Sequence, residues 1–191
     1  VLIPDVDASN GVVHVIDKVL LPQEAIDFVS MLNMKNIVEI AVETDDLSLL
    51  VEALIQADAG LVEALQGDGP FTVFAPNNHA FQELFHLLGP AYHGIADFDT
   101  SEEKELLASV LLYHVIGGAA LSSNDFNGHQ QIKTLQGENI SVDVRPNGSI
   151  RIFDKTHDRA NVIAADNEAS NGIVHIIDKV LLPQEVLDAL H

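Results

Sequence analysis

Residues 170–185 read SNGIVHIIDKVLLPQE, and residues 9–24 read SNGVVHVIDKVLLPQE. The two stretches differ only where Val12 and Val15 are replaced by Ile173 and Ile176, so that fourteen of sixteen positions are identical. Self-similarity of this kind indicates a repeat of about 160 residues that follows the end of another repeat. We therefore expect residues 1–33 to be the C-terminal remnant of a preceding repeat plus a linker, and residues 34–191 to be a complete domain.

The repeated stretch predicts a β-strand. Asn171 and Gly172 are a turn signal, and the residues after them are mostly β-branched and apolar. We expect the strand to continue to Leu182, since Pro183 cannot donate to a sheet. In the N-terminal copy, the equivalent strand from Gly11 to Leu21 would leave an apolar edge unpaired. It could pair with a free sheet edge of its own chain, but we expect it to pair in trans with another molecule, in a homophilic contact.

The order of patterns between the two copies indicates the fold class. Helical patterns come first, with helix starts predicted at Asp45 or Asp46, at Asn77 or Asn78, and at Thr100, which forms a capping box with Glu103. From about residue 132 the pattern changes to short β segments separated by turns. Helices followed by a run of strands predict an α+β domain.

Three motifs resemble those of one known family. FTVFAPNNHAF at residues 71–81, LLYHVI at 111–116 and NGIVHIIDKVLLP at 171–183 occur in the order found in the fasciclin (FAS1) domain family, and the resemblance covers about residues 34–188. The resemblance implies a β-wedge or sandwich of two sheets with several helices packed on one side. It also implies an extracellular, cell-surface or periplasmic location and a role in cell adhesion or extracellular-matrix contacts.

The same resemblance implies a partner-binding segment. In the family, the Tyr-His region with its aliphatic flanks is proposed to contact integrins, and here that region consists of Leu111, Leu112, Tyr113, His114, Val115 and Ile116. The same residue types are also what a domain interior uses, because a buried Tyr or His usually finds a hydrogen-bond partner. Both interpretations stay open at this point.

Charge and composition exclude several classes of partner. The chain has 9 Lys and Arg against 29 Asp and Glu, a formal net charge of −20, and no Cys. We expect no nucleic acid partner and no docking on anionic lipid, since both need a basic face. No apolar run is long enough to span a bilayer, so we expect no direct membrane insertion. The start at Val1, without Met or a leader pattern, suggests a processed protein or an excised piece.

Motifs for catalysis or cofactors are missing from the sequence. The nine histidines form no known metal-binding pattern, and neither a nucleophile elbow nor a phosphate loop is present. We therefore expect no enzyme activity and no cofactor. Asp97, Asp99 and Ser101 match the first three ligand positions of a calcium loop, but Glu102 stands where that loop needs glycine. A solvated acidic loop is the expected structure there, with a weak cation site as the alternative.

Two N-x-S sequons add candidate glycosylation sites at Asn139 and Asn147, of which Asn147 lies in a predicted turn and should be the more accessible. Taken together, the sequence predicts a non-enzymatic adhesion module of a multi-domain secreted or cell-surface protein, mediating homophilic or matrix contacts. A small-ligand or cation-binding extracellular module is the alternative.

Overall fold

The computed structural model describes residues 2–156 and 158–189 of the chain. They divide into two units, one that ends at Met34 and one that starts at Lys35. The first unit contains an antiparallel hairpin of strands β1 (Ile3–Ala8) and β2 (Gly11–Val15), followed by helix α1 (Gln23–Leu32). The second unit is called the body below.

The body begins with helices and ends with a run of strands, as the sequence predicts. Its helices are α2 (Ile37–Glu43), α3 (Ser48–Gln56), α4 (Leu61–Gln66), α5 (Asn78–Leu88), α6 (Ser101–Tyr113) and α7 (Gln184–Ala189). Its strands are β3 (Phe71–Pro76), β4 (Val115–Gly117), β5 (His129–Lys133), β6 (Asn139–Val144), β7 (Ile150–Phe153), β8 (Arg159–Ala169) and β9 (Gly172–Ile177). Within the described residues, no helix is both long enough and apolar enough to cross a lipid bilayer.

Helices α5 and α6 begin at the predicted caps. At each cap a side chain accepts a hydrogen bond from an N–H group that the first turn of the helix leaves free. Asn77 accepts a hydrogen bond from the Ala80 N–H at 2.9 Å. Thr100 and Glu103 form the predicted capping box, in which the Glu103 carboxylate accepts the Thr100 N–H at 3.0 Å and the Thr100 hydroxyl accepts the Glu103 N–H at 3.2 Å.

The prediction that Asp45 or Asp46 caps α3 is wrong. These residues form a short 3-10 turn at Asp45–Leu47 that leads directly into α3. Leu47 is therefore the N-cap residue, and its side chain makes no capping hydrogen bond. The acceptor comes from another helix instead, because the Asn78 side-chain oxygen accepts the Leu49 N–H at 3.0 Å. A contact between residues so far apart in sequence leaves no local signal.

The seven body strands form one sheet in the order β4-β3-β9-β8-β7-β6-β5. The repeated strand β9 lies parallel to β3 and antiparallel to β8. Strand β8 joins two sections, since its first residues pair with β7 and the rest with β9, with register shifts between Val162 and Asn167. The α+β class is confirmed, and the two predicted sheets are continuous through β8.

Two apolar cores lie on opposite faces of β3, because successive side chains of a strand point to opposite sides. Val73 and Ala75 belong to the core between the sheet and the helices, whereas Phe74 belongs to the core enclosed by β6, β7 and β8. Strand β9 also contributes to both, with Val174 in the first core and Ile177 in the second. The central pair of strands therefore joins the two halves of the body.

Strand β9 ends at Ile177, five residues before the end predicted at Leu182. Leu181 and Leu182 are buried, but side chains rather than a neighbouring strand satisfy their N–H groups. The Leu181 N–H donates to His114 Nε2 and the Leu182 N–H donates to Asp154 Oδ2, each at 2.9 Å. Residues 180–182 are apolar because they are buried. Their sequence therefore resembles a continuation of the strand, although they form none.

A buried amide fixes the turn that begins β9. The Asn171 Oδ1 atom accepts the Ile37 N–H at 3.0 Å, and Asn171 Nδ2 donates to Leu65 O at 2.7 Å and to Gly67 O at 2.8 Å. One side chain thereby holds the start of α2, the end of α4 and the turn between β8 and β9.

The residue after this amide has to be glycine. A Cβ atom on Gly172 would lie 2.1 Å from the carbonyl oxygen of Phe71, far inside the closest contact that a carbon can make. The Phe71 N–H donates to Asn171 O at 3.0 Å, so that β3 and the turn touch through their backbones. The Asn-Gly pair therefore determines where β3 and β9 meet.

We expect Asn171→Ala to lower the free energy of unfolding by about 2–4 kcal/mol, because it leaves the buried partner groups unsatisfied. Asn10 occupies the same place in the N-terminal copy but is exposed, so Asn10→Ala is the matched control and should change stability by less than about 0.5 kcal/mol. Urea unfolding followed by circular dichroism measures both variants. Equal losses for the two would contradict the assignment.

Candidate interaction sites

The predicted partner-binding segment spans the end of α6 and the start of β4. Leu112 is half-buried, and the other side chains of the segment are buried, namely Leu111, Tyr113, His114, Val115 and Ile116. The Tyr113 hydroxyl donates to Asn139 O at 3.0 Å, and burial raises the pKa of Tyr113. A partner would reach the buried side chains only after local opening of the domain. Their role in partner binding stays a prediction.

His114 is held neutral inside the body. Its Nε2 atom accepts the Leu181 N–H, so the proton of the neutral ring is on Nδ1, which donates to Val110 O at 2.7 Å. Burial lowers the pKa of His114 to about 4. Both ring nitrogens are thus occupied by backbone groups, and His114 positions the segment that follows β9.

An apolar cavity lies beside His114, between helices α2, α3 and α4 and strands β3 and β4. Its volume is about 40 Å³, whereas sites for small organic ligands usually enclose several hundred Å³, roughly 300 or more. The polar atoms of the His114 ring are already bonded. The cavity in this form offers the small-ligand alternative little room, and that alternative remains a prediction.

Ser123, Asp166 and His175 lie together but not in the order of a catalytic triad. The Ser123 hydroxyl and N–H both donate to the Asp166 carboxylate, which lowers its pKa. His175 Nδ1 accepts the Asp166 N–H at 3.3 Å, and its Nε2 bonds to Leu121 O at 2.8 Å. A general base would have to receive the proton of the hydroxyl, and here the imidazole does not touch it. The three side chains instead fix an irregular turn of β8.

In the acidic loop before α6, the carboxylate of Asp97 has a structural role. Asp97 Oδ2 accepts the N–H groups of His93 and Gly94 at 2.6 and 3.0 Å, and these bonds lower the pKa of Asp97. Among residues 2–156 and 158–189, no three His, Asp or Glu side chains are grouped to hold a metal ion. The weak cation site at Asp97, Asp99 and Ser101 stays a prediction. Two of the nine histidines, His157 and His191, lie outside the described residues.

Both sequon asparagines are exposed. Asn147 lies in the turn between β6 and β7, where its side-chain oxygen accepts the Ser149 N–H at 3.1 Å. Asn139 begins β6 and is exposed as well. Burial therefore gives Asn147 no advantage over Asn139, and glycosylation of either one remains a prediction.

The N-terminal hairpin has the same register as the hairpin of β8 and β9. Val6 pairs with Val13 in the first hairpin, and their counterparts 161 positions later, Asn167 and Val174, pair in the same way. Every other pair of the first hairpin also has its counterpart in the second, including the shift in register that follows Ile3. The equivalence is therefore structural as well as sequential.

The two hairpins also share a strained residue and a hydrogen bond. Asp5 and Asp166 both adopt the left-handed backbone conformation, with φ of 54° and 58°. Their N–H groups donate to Nδ1 of His14 and of His175, at 3.1 and 3.3 Å. The sequence analysis did not single out these aspartates, although they are identical at the offset of the repeat. Asp5 and Asp166 lie four residues before the two matching stretches, which start at Ser9 and Ser170.

We expect the free energy of unfolding to fall as the pH is lowered from 6.5 towards 4. The unfolded chain protonates its histidine near pH 6.5, whereas folded His114 stays neutral down to about pH 4. Proton uptake by the unfolded state alone destabilises the fold, by about 3 kcal/mol over this range. Above pH 6.5 both states are neutral and the contribution is constant.

Urea unfolding between pH 7 and 4.5 measures this dependence. His114→Gln should be less stable than the wild type at pH 7 but lose less stability on acidification, while the control His14→Gln, at an exposed position, should keep the wild-type slope. Parallel slopes for His114→Gln and the wild type would contradict the assignment. An NMR titration in which the His114 ring protonates near pH 6.5 would do the same.

Comparison with known proteins identifies the family. The sequence model described as the Fasciclin domain matches residues 45–183. Protein sll1483 of Synechocystis sp. is 40% identical over 147 residues, which cover 77% of this chain and 73% of that protein. Human periostin is 32% identical over 183 residues, which cover 92% of this chain but only 18% of periostin.

A solved structure shows the same fold. The chain resembles a FAS1 domain pair from the insect cell adhesion molecule fasciclin I with a TM-score of 0.65 and 21% identity, over 95% of this chain and 58% of that one. The predicted fold is thereby confirmed, with helices packed against one face of a sheet and a second core between its strands. This chain belongs to the Fasciclin domain family.

Proposed function

We propose that this chain is a non-enzymatic adhesion module of a multi-domain secreted or cell-surface protein. It would act outside the cell, at its surface or in the periplasm, through homophilic or matrix contacts. The similarity to fasciclin I, described as a cell adhesion molecule, supports the proposal. The family match over most of the body supports it as well.

The observation that carries the proposal is the duplicated hairpin. Residues 1–33 would be the end of a preceding fasciclin unit, and residues 34–191 a complete one. The alignment with periostin supports this division, because it covers 92% of the chain and so extends into the N-terminal unit. Modules joined in this way engage a surface together, which raises their effective concentration at the second contact.

Apolar side chains of the N-terminal unit are exposed where their counterparts in the body are buried. Val13 is 52% exposed, whereas its counterpart Val174 in the body is 1% exposed. Leu20 is 82% exposed, whereas Leu181 is fully buried. Val174 and Leu181 belong to the apolar cores of the body. The N-terminal unit would therefore carry the inner face of a fasciclin fold, and burial of that face against another apolar surface would be favourable.

In the chain of 191 residues, that inner face would be covered by a second copy. The predicted strand from Gly11 to Leu21 ends at Val15 in the structure, where β2 pairs with β1. The segment from Gly11 to Leu21 would pair in trans, and the association would be homophilic. Val12 and Val13 allow a matched test, because both are about half exposed here while their counterparts differ in the body. Ile173 is partly exposed and Val174 is buried, so only Val13 lies on the inner face.

We expect residues 1–191 to form a dimer or larger species in light scattering at low micromolar concentration, and residues 34–191 to be monomeric. Val13→Asp should give a monomer, because it places a charge on the inner face, and Val12→Asp should behave like the wild type. A monomeric wild type, or equal effects of the two substitutions, would contradict pairing through the hairpin.

The absence of a catalytic role is part of the proposal. The geometry at Ser123, Asp166 and His175 supports it, because both imidazole nitrogens bond to backbone groups. The three side chains therefore have a sufficient structural explanation. Hydrolysis of activated esters that is lost in Ser123→Ala, with the fold intact, would overturn this part of the proposal.

A further inference from the structure

The four strands β5 to β8 present an outer face that no part of the sequence analysis considered. On β7, Ile150 and Ile152 point into the core and are buried, so the alternating Arg151 and Phe153 point outwards and are half-buried. The strand register places Ser141 of β6 and Arg159 of β8 directly beside Phe153. A row of outward side chains therefore crosses the sheet at this level.

A second row crosses the face two residues away. Asp143 of β6 and Asn161 of β8 lie beside Arg151. Lys133 of β5 lies on the same face, opposite Asn139 of β6. We call the outward side chains of β5 to β8, together with Arg145 in the adjoining turn, the outer strand face. It combines cations, amides, a hydroxyl, the Phe153 ring and the His129 imidazole.

The outer strand face is cationic on an acidic protein. All three arginines of the chain, Arg145, Arg151 and Arg159, belong to it together with Lys133. Two carboxylates lie at this face, that of Asp143 beside Arg151 and that of Asp178, which accepts the Asn161 amide at 2.7 Å. By contrast, residues 35–105 contain fourteen acidic and two basic side chains. The charge of the body is thus divided between an acidic helical half and this basic face.

The arginines are not used to neutralise the protein's own acids. Within residues 2–156 and 158–189, none of them forms an ion pair, whereas Lys35, Lys155 and Lys179 are each paired with a carboxylate. Burial and the positive charges of Arg145 and Arg159 lower the pKa of Arg151. The Asp143 carboxylate beside Arg151 offsets only part of this effect, so three arginines and Lys133 on one face still carry an electrostatic cost. An external anion would relieve that cost.

We propose that the outer strand face binds an acidic polysaccharide, with carboxylate or sulfate groups held by Arg151 and Arg159 and a sugar ring packed on Phe153. Guanidinium groups bind planar anions through paired hydrogen bonds. The neighbouring amide of Asn139 and hydroxyl of Ser141 can exchange hydrogen bonds with sugar hydroxyls, whereas the Asn161 amide already donates to Asp178. Half-exposed aromatic rings supply apolar contact area at low entropic cost.

The charge distribution favours a thin polymer over a second copy of the chain. A single polysaccharide strand can lie on the outer strand face, and salt screens it from the acidic helical half beyond a Debye length of about 8–10 Å. A second copy would bring its whole net charge of −20 to this face, without the apolar burial that offsets the same repulsion in the hairpin contact proposed above. The proposal rests on the proposed function in one respect, since it names the class of matrix component that the adhesion module contacts.

Binding of the full chain to dextran sulfate, to polygalacturonate and to uncharged dextran tests the proposal. We expect binding to one or both anionic polymers but not to dextran, and weaker binding at higher salt. Arg151→Gln with Arg159→Gln should weaken binding roughly tenfold or more, as expected for the loss of two charge-assisted contacts. The control, Lys35→Gln with Lys104→Gln, changes the net charge equally and should weaken it less than about twofold.

Three results would overturn the proposal. These are no binding to either anionic polymer, equal weakening by the two double variants, and loss of self-association in the arginine variant, which would make a second copy the occupant. Phe153→Ala should weaken binding without altering its salt dependence, and urea unfolding verifies that each variant is folded. Val13→Asp should bind the polymers like the wild type, so failure here is distinguishable from failure of the hairpin contact.

Discussion

The fold of the body depends on one buried amide, the side chain of Asn171. It bonds to backbone groups at the start of α2 and at the end of α4. A buried polar group that satisfies three backbone partners is costly to remove and leaves little freedom to its surroundings. Gly172 then allows β3 to approach β9 at backbone contact distance. Since β3 and β9 are parallel neighbours whose side chains enter both cores, the position of this turn determines how the helical and strand halves fit together.

The hairpin that contains this amide is encoded locally. It occurs twice in the chain with the same register, the same left-handed aspartate and the same bond to histidine, once in a buried and once in an exposed setting. Burial is therefore not what creates the irregular turn. Burial instead adds the tertiary partners, which the N-terminal copy would receive from the rest of its own fasciclin unit under the proposed function.

The sequence predicts the features of the fold that depend on residues adjacent in the chain. The caps at Asn77 and Thr100 and the fold class follow from local chemistry and from family motifs. It does not predict the end of β9, because the acceptors His114 and Asp154 belong to distant elements. The outer strand face was missed for the same reason, since Arg151 and Arg159 become neighbours only through the pairing of β7 with β8. Motif similarity carries no information on exposure. The segment 111–116, suggested as a partner-binding segment by resemblance, is therefore found mostly buried only in the structure.

The central claim is that the chain holds one fasciclin body and the terminal hairpin of another. Solution NMR of residues 1–191 tests it most directly, through the cross-strand contacts of Val6 with Val13 and of Asn167 with Val174 and through the sign of φ at Asp5 and Asp166. The account predicts both contacts and a positive φ at both aspartates. Random-coil shifts for residues 3–15, or a different register there, would contradict it.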